Sequence, residues 1–169
     1  ASFVGEGVNV GLIAAQARAG GTVVKNLRVS VEGTLSGGTS NLGVLVGYTD
    51  AARPVTVSNV CVSVSGRLEG QGSVGGLVGG FWKASGSVIE DARVDLLEGA
   101  VLSGGGEDAN RGVGGALGAL RTNGASNGTL RNVLVTAAPG VAFSGATGRG
   151  VLVGRFQNTG AVEGCAVVD

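Results

Sequence analysis

Histidine is missing from the sequence altogether, which removes both the commonest general base and the commonest metal ligand. Methionine is missing as well, so Ala1 cannot be where translation began. The expectation is a processed product or a piece of a longer protein. Two cysteines are too few for a structural zinc site on their own, and two prolines are too few for a collagen-like chain. Charge is scarce, at 14% of residues, and balances at 12 basic and 12 acidic side chains. That balance leaves no basic footprint for nucleic acid and little self-repulsion to oppose association. No apolar run approaches the ~18 residues of a membrane-spanning helix, so membrane insertion is not expected. A non-enzymatic protein without cofactor or metal is the reading.

What is present is glycine, 35 of 169 residues, together with 43% hydrophobic residues. A chain this apolar folds rather than staying disordered. Aromatics are only 4%, so the core has to come from Val, Leu, Ala and close backbone approach. Glycine this dense argues against helices, where each costs ~1 kcal/mol relative to alanine.

Internal repeats organise the sequence. The segments VGLIA (10–14), VLVG (44–47), GLVG (76–79), GALG (115–118) and VLVG (151–154) end at spacings of 33, 32, 39 and 36 residues. About 12 residues later comes a second landmark, Asn26, Asn59, Asp91 and Asn132, with Gly164 in the last copy. Alternating segments follow it: LRVSV, VCVSV, ARVDL, VLVTA and CAVVD. A third landmark closes the unit as GTLSG, GRLEG, AVLSG and VAFSG. Short β-branched segments punctuated by Gly, Asn and Ser are strands and turns. A constant order of three of them per repeat predicts an all-β, parallel β-solenoid of about five coils with three short strands per coil. The coils are placed at residues 8–39, 40–72, 73–110, 111–148 and 149–169, with residues 1–7 as a third strand. Leu27, Val29 and Val31 point inward and Arg28 and Ser30 outward, by alternation. The Asn26, Asn59, Asp91, Asn132 column is read as a structural turn ladder, because Asn and Asp tolerate positive φ and stacked amides bond from coil to coil. Consecutive apolar residues such as Leu77 and Val78 predict a first strand buried on both faces, covered by the chain's own loops or by another molecule.

Gly76-Leu77-Val78-Gly79, and more loosely the other four copies, resembles the GLUG motif of bacterial secreted and surface proteins, among them adhesins and some immunoglobulin A peptidases. The resemblance implies an adhesin-type solenoid in an extracellular or cell-surface location. Peptidase activity in such relatives belongs to a separate zinc domain, and no HExxH exists here.

The segment begins on a third strand and stops on a second one, so a head-to-tail neighbour would continue the solenoid. The expectation is a protomer or segment of an extracellular fibre, stalk or adhesin, whose partner is itself or the adjacent repeats of a longer chain. Phe3 and Val8 at the start, and Cys165 and Val167 at the end, are the expected assembly contacts. Cys61 and Cys165 fall on opposite faces three coils apart, roughly 14 Å, too far for an intrachain disulfide. That leaves Cys165 an intermolecular bond across an end junction.

The alternative is a carbohydrate-binding module. Tyr48, Phe81, Trp82 and Phe156 follow the GLUG-like segments by one to three residues. Phe81 and Phe156 are read as core, whereas Tyr48 and Trp82 form an aromatic edge for stacking sugar rings, with Arg121 and Arg155 as polar partners. Ice binding ranks lower, because Arg28, Cys61, Arg93 and Leu134 make an irregular, charged outer face. Glu90, Asp91, Asp95 and Glu98 around Arg93 read as a solvated charged face rather than a catalytic group. Asn127-Gly128-Thr129 is an N-glycosylation acceptor sequence in a loop.

Overall fold

The computed structural model describes residues 2–18, 21–50, 54–82, 86–106, 110–121, 128–145, 147–157 and 160–169, Arg121 by its backbone alone. Among these residues the chain is all-β, a parallel β-solenoid of about four turns with no helix. The expected five coils count as a fifth the incomplete turn divided between the two ends.

Each turn crosses four sheets rather than three. Sheet A stacks Phe3–Gly5, Thr34–Gly37, Arg67–Glu69, Val101–Ser103 and Ala142–Ser144. Sheet B stacks Asn9–Val10, Asn41–Gly43, Ser73–Gly75, Gly112–Gly114 and Gly148–Gly150. Sheet C stacks Ala14–Ala17, Val46–Asp50, Val78–Trp82, Leu117–Arg121 and Val153–Phe156. Sheet D holds the long strands Val23–Val31, Thr56–Val64, Val88–Leu96 and Thr129–Ala137, and then Ala161–Glu163 and Ala166–Val168.

The difference from three strands lies in the GLUG-like segment. It is not one strand but a tight arch that ends sheet B and begins sheet C. Val44, Leu45, Leu77 and Ala116 in the arch are fully buried. A Cβ on Gly76 would stand 3.0 Å from Val94 Cγ1, which places the arch against the inner face of sheet D. The arch can be this narrow because glycine recurs four residues before its closing glycine: Gly43 and Gly47, Gly75 and Gly79, Gly114 and Gly118, Gly150 and Gly154. A Cβ on Gly43 would sit 2.5 Å from Gly79 N, and one on Gly79 would sit 2.7 Å from Leu42 C. Backbone meets backbone there, and no side chain fits. The apolar pairs of the repeat are therefore covered by the chain's own arch and sheets.

Sheet D carries the alternation into the core. Val57, Ile89 and Leu130 form one buried column and Val62, Val94 and Val135 another, in unbroken register from coil to coil. Between these columns the strand kinks. Asn26, Asn59, Asp91 and Asn132 have φ of 58°, 49°, 49° and 51°, and Gly164 has 59°. The kink lies inside a nine-residue strand, not at its start. One extra residue in the left-handed region re-aims the strand so that residues on both sides of it still face inward. Asn and Asp are the side chains that tolerate this conformation at least cost.

Candidate functional site

Two surfaces stand out, the terminal coils and a groove beside the aromatic residues.

At the terminal coils the columns that form the core come to the surface. Phe3 heads the sheet A column that continues through Leu35, Leu68 and Leu102 to Phe143. Leu35, Leu68 and Leu102 are buried, whereas Phe3 is 51% exposed. At the other end Val167 pairs with Val135 and is 47% exposed, although Val135 is wholly buried. Val8 is 58% exposed beside the first strand of sheet B, and its carbonyl accepts from Ser40 N at 2.9 Å. Cys165 packs half-buried against the core, and its Sγ accepts from Val133 N at 3.4 Å. Both cysteines are free thiols. In the same end coil, Arg149 occupies the sheet B position held by Val113 and Val74 one and two coils earlier. It is a charge in an otherwise apolar column.

The groove runs where sheets B and C meet the surface. It encloses about 420 Å³ between Asn9 and Asn41 on one side and Gln16, Tyr48, Asp50 and Trp82 on the other. Tyr48 lies opposite Gly80 in the register of sheet C, and Trp82 lies opposite Asp50. Gly80 offers no side chain, and the Asn41 amide occupies the space above it, its Cγ 3.2 Å and Tyr48 Cδ2 3.5 Å from where a Cβ would stand. Asn41 Nδ2 donates to Asn9 Oδ1 at 2.8 Å along the opposite wall. Phe81, by contrast, is fully buried in a core column with Thr49 and Leu120. Phe156 ends that column at the surface.

The other predicted polar partners do not join the groove. Arg155 shares the Tyr48 column, but Gly80 and Ala119 intervene, so it stands three coils away. Its Nε is buried without a hydrogen-bond partner among the described residues. Arg121 pairs with Trp82 along the backbone of sheet C, and its side chain lies outside the described residues. Asn127 also lies outside them.

The outer face of sheet D is polar and internally paired. Asn59 Nδ2 donates to Asn26 Oδ1 at 2.8 Å, and Asn132 Nδ2 donates to Asp91 Oδ1 at 3.0 Å. Arg131 bridges Glu90 at 3.4 Å and Glu163 at 3.1 Å, and the Glu163 hydrogen bond holds its guanidinium above the usual value. Arg93 pairs with Asp95 at 2.8 Å, and Asp95 also accepts from Thr136 at 2.6 Å. These carboxylates are thus shared out among separate partners, and among the described residues no three acidic or thiol groups converge as metal ligands. The glycine pairs of the arch, which no motif reading singled out, are signalled by their constant four-residue spacing.

No family model, no curated protein and no solved structure matches the chain.

Proposed function

We propose that this chain is a non-enzymatic structural segment of an extracellular or cell-surface fibre, stalk or adhesin, extended by further solenoid coils stacked on its ends. The observation that carries the reading is that core columns emerge at both terminal coils with the same four sheets available for pairing. Phe3, Val8, Cys165 and Val167 are the contacts. Unpaired parallel edges and exposed apolar columns are unfavourable in water, and coils of the same cross-section satisfy both at once. The resemblance of Gly76-Leu77-Val78-Gly79 to the GLUG motif supports an extracellular, adhesin-type setting.

The test is negative-stain electron microscopy with sedimentation velocity across a concentration series. Filaments with an axial repeat near five strand spacings, roughly 24 Å, are expected. Val167→Glu should abolish them while leaving the monomer folded. A wild-type chain that stays monomeric at every concentration overturns self-assembly.

The groove favours a second reading, a carbohydrate-binding module with Tyr48 and Trp82 as stacking platforms. Trp82→Ala should abolish retention on a polysaccharide that binds the wild type and leave filaments intact. If no polysaccharide is retained, that reading fails.

A further inference from the structure

Resting on the end-to-end reading above, we propose that the partner of the terminal coils is a second copy of this chain, held in one polar register by Lys25 of the incoming copy against Glu163 of the copy it joins. In the outer face of sheet D, one column runs Lys25, Ser58, Glu90, Arg131 and Glu163. Its last three members already alternate in sign and are bonded, Arg131 to Glu90 at 3.4 Å and to Glu163 at 3.1 Å. Each pair spans one coil, about 4.8 Å along the axis. If a second copy continues the solenoid, the next residue in this column is its Lys25, one coil from Glu163. A lysine at that step reaches a carboxylate that is itself 55% exposed. The run of alternating charges then crosses the junction without a break.

The other columns agree with this register. The incoming Phe3 lands on Phe143, Val24 on Val162, and Val29 on Val167, apolar on apolar in each case. The amide ladders do not set the register, because the incoming Asn26 meets Gly164 and the incoming Asn9 meets Gly148. The opposing contact is Val10 against Arg149, a charge that stands in the inward sheet B column of Val74 and Val113 and works against closure of the junction. Reversed arrangements bring two Glu163 ends or two Lys25 ends together, and neither forms the Lys25–Glu163 pair. The charge column therefore selects polarity as well as register.

Two single variants and their mixture test this. Lys25→Glu alone sets carboxylate on carboxylate at every junction, and Glu163→Lys alone sets ammonium on ammonium. Mixed in equal amounts, the two variants can alternate, with opposite charges at every junction. By sedimentation velocity at low ionic strength, each variant alone should associate roughly five- to tenfold more weakly than the wild type. The mixture should recover most of the loss, and the differences should shrink in ~1 M salt, where the screening length falls to ~3 Å. Circular dichroism of each variant checks that it remains folded. A wild type that assembles while the variants assemble equally well, or a mixture no better than its components, overturns the register and leaves end-to-end assembly standing. A wild type that never assembles overturns both.

Discussion

Asn59 donates from its side-chain amide to the side-chain oxygen of Asn26, one coil earlier, at 2.8 Å. Both residues sit in the left-handed region, so one side-chain type serves the kink and the bond. The direction is shared: Asn132 donates to Asp91, and in sheet B Asn41 donates to Asn9. Asp91 interrupts the run, because a carboxylate accepts from Asn132 but has nothing to donate to Asn59.

Asp91→Asn should complete the ladder. One added hydrogen bond on a partly exposed face is worth ~0.5–1 kcal/mol, or roughly 1–4 °C in Tm for a chain of this size. Thermal unfolding followed by circular dichroism reads it. A lower Tm would show that the charge of Asp91 contributes more than the missing bond.

Asn59→Gly and Asn59→Ala separate the two tasks of the ladder. Glycine keeps the positive φ and loses the bond, whereas alanine loses both. Alanine should cost ~1 kcal/mol more than glycine at this position, reversing the usual preference for alanine in regular structure. Urea midpoints of the three proteins give the comparison. Equal midpoints for the two variants would mean that the kink carries no conformational cost.

Thr49 stands in the core column of Phe81 and Leu120, 1% exposed, with its hydroxyl unpartnered among the described residues. Thr49→Val keeps the shape and removes the buried polar group. A gain of ~1–2 kcal/mol is expected, seen as a higher urea midpoint with an unchanged slope. No gain would mean that the hydroxyl finds a partner in solution.

Gly75→Ala should be among the most damaging single changes available. Its Cβ would stand 2.6 Å from Gly118 N, backbone against backbone, where neither side can yield. Gly99, at φ 80° with nothing within 4 Å, is the control: alanine there meets only conformational strain, ~1–2 kcal/mol. Soluble yield and Tm should fall much further for Gly75→Ala than for Gly99→Ala. Equal losses would contradict the close contact between sheets B and C.

Arg149→Val removes the one charge from the sheet B column of Val74 and Val113 in the last coil. Inward-placed charges at sheet edges discourage edge pairing. The variant should associate at lower protein concentration than the wild type in the same sedimentation experiment. Unchanged association would mean that this column lies outside the contact.

The solenoid was legible in the sequence because three landmarks recur in fixed order and the strands of sheet D alternate cleanly. Leu27, Val60 and Val94 read as inward residues on that pattern alone. The arch was not legible from apolarity, since Leu77 and Val78 in succession look like a doubly buried strand. The pairing of Gly75 with Gly79 carries the information, and it concerns backbone approach rather than hydrophobicity. Tyr48 and Trp82 could be brought together from their places after the repeat motif, because they lie on neighbouring coils. Arg155 could not be placed with them by the same reasoning. Position within a repeat gives the column but not the distance along the axis.

Sheet D keeps one register from Val24 through Val57 and Ile89 to Leu130, without a slip at any coil. Length in this architecture is therefore a digital quantity. Removing residues 41–72 would join Ser40 to Ser73, whose predecessor and successor already belong to one outline, and would shorten the rod by a single strand spacing of about 4.8 Å. Duplicating the same stretch would lengthen it by as much. Unequal exchange between repeats can thus tune the reach of such a rod in whole steps, with its cross-section and both of its end faces unchanged.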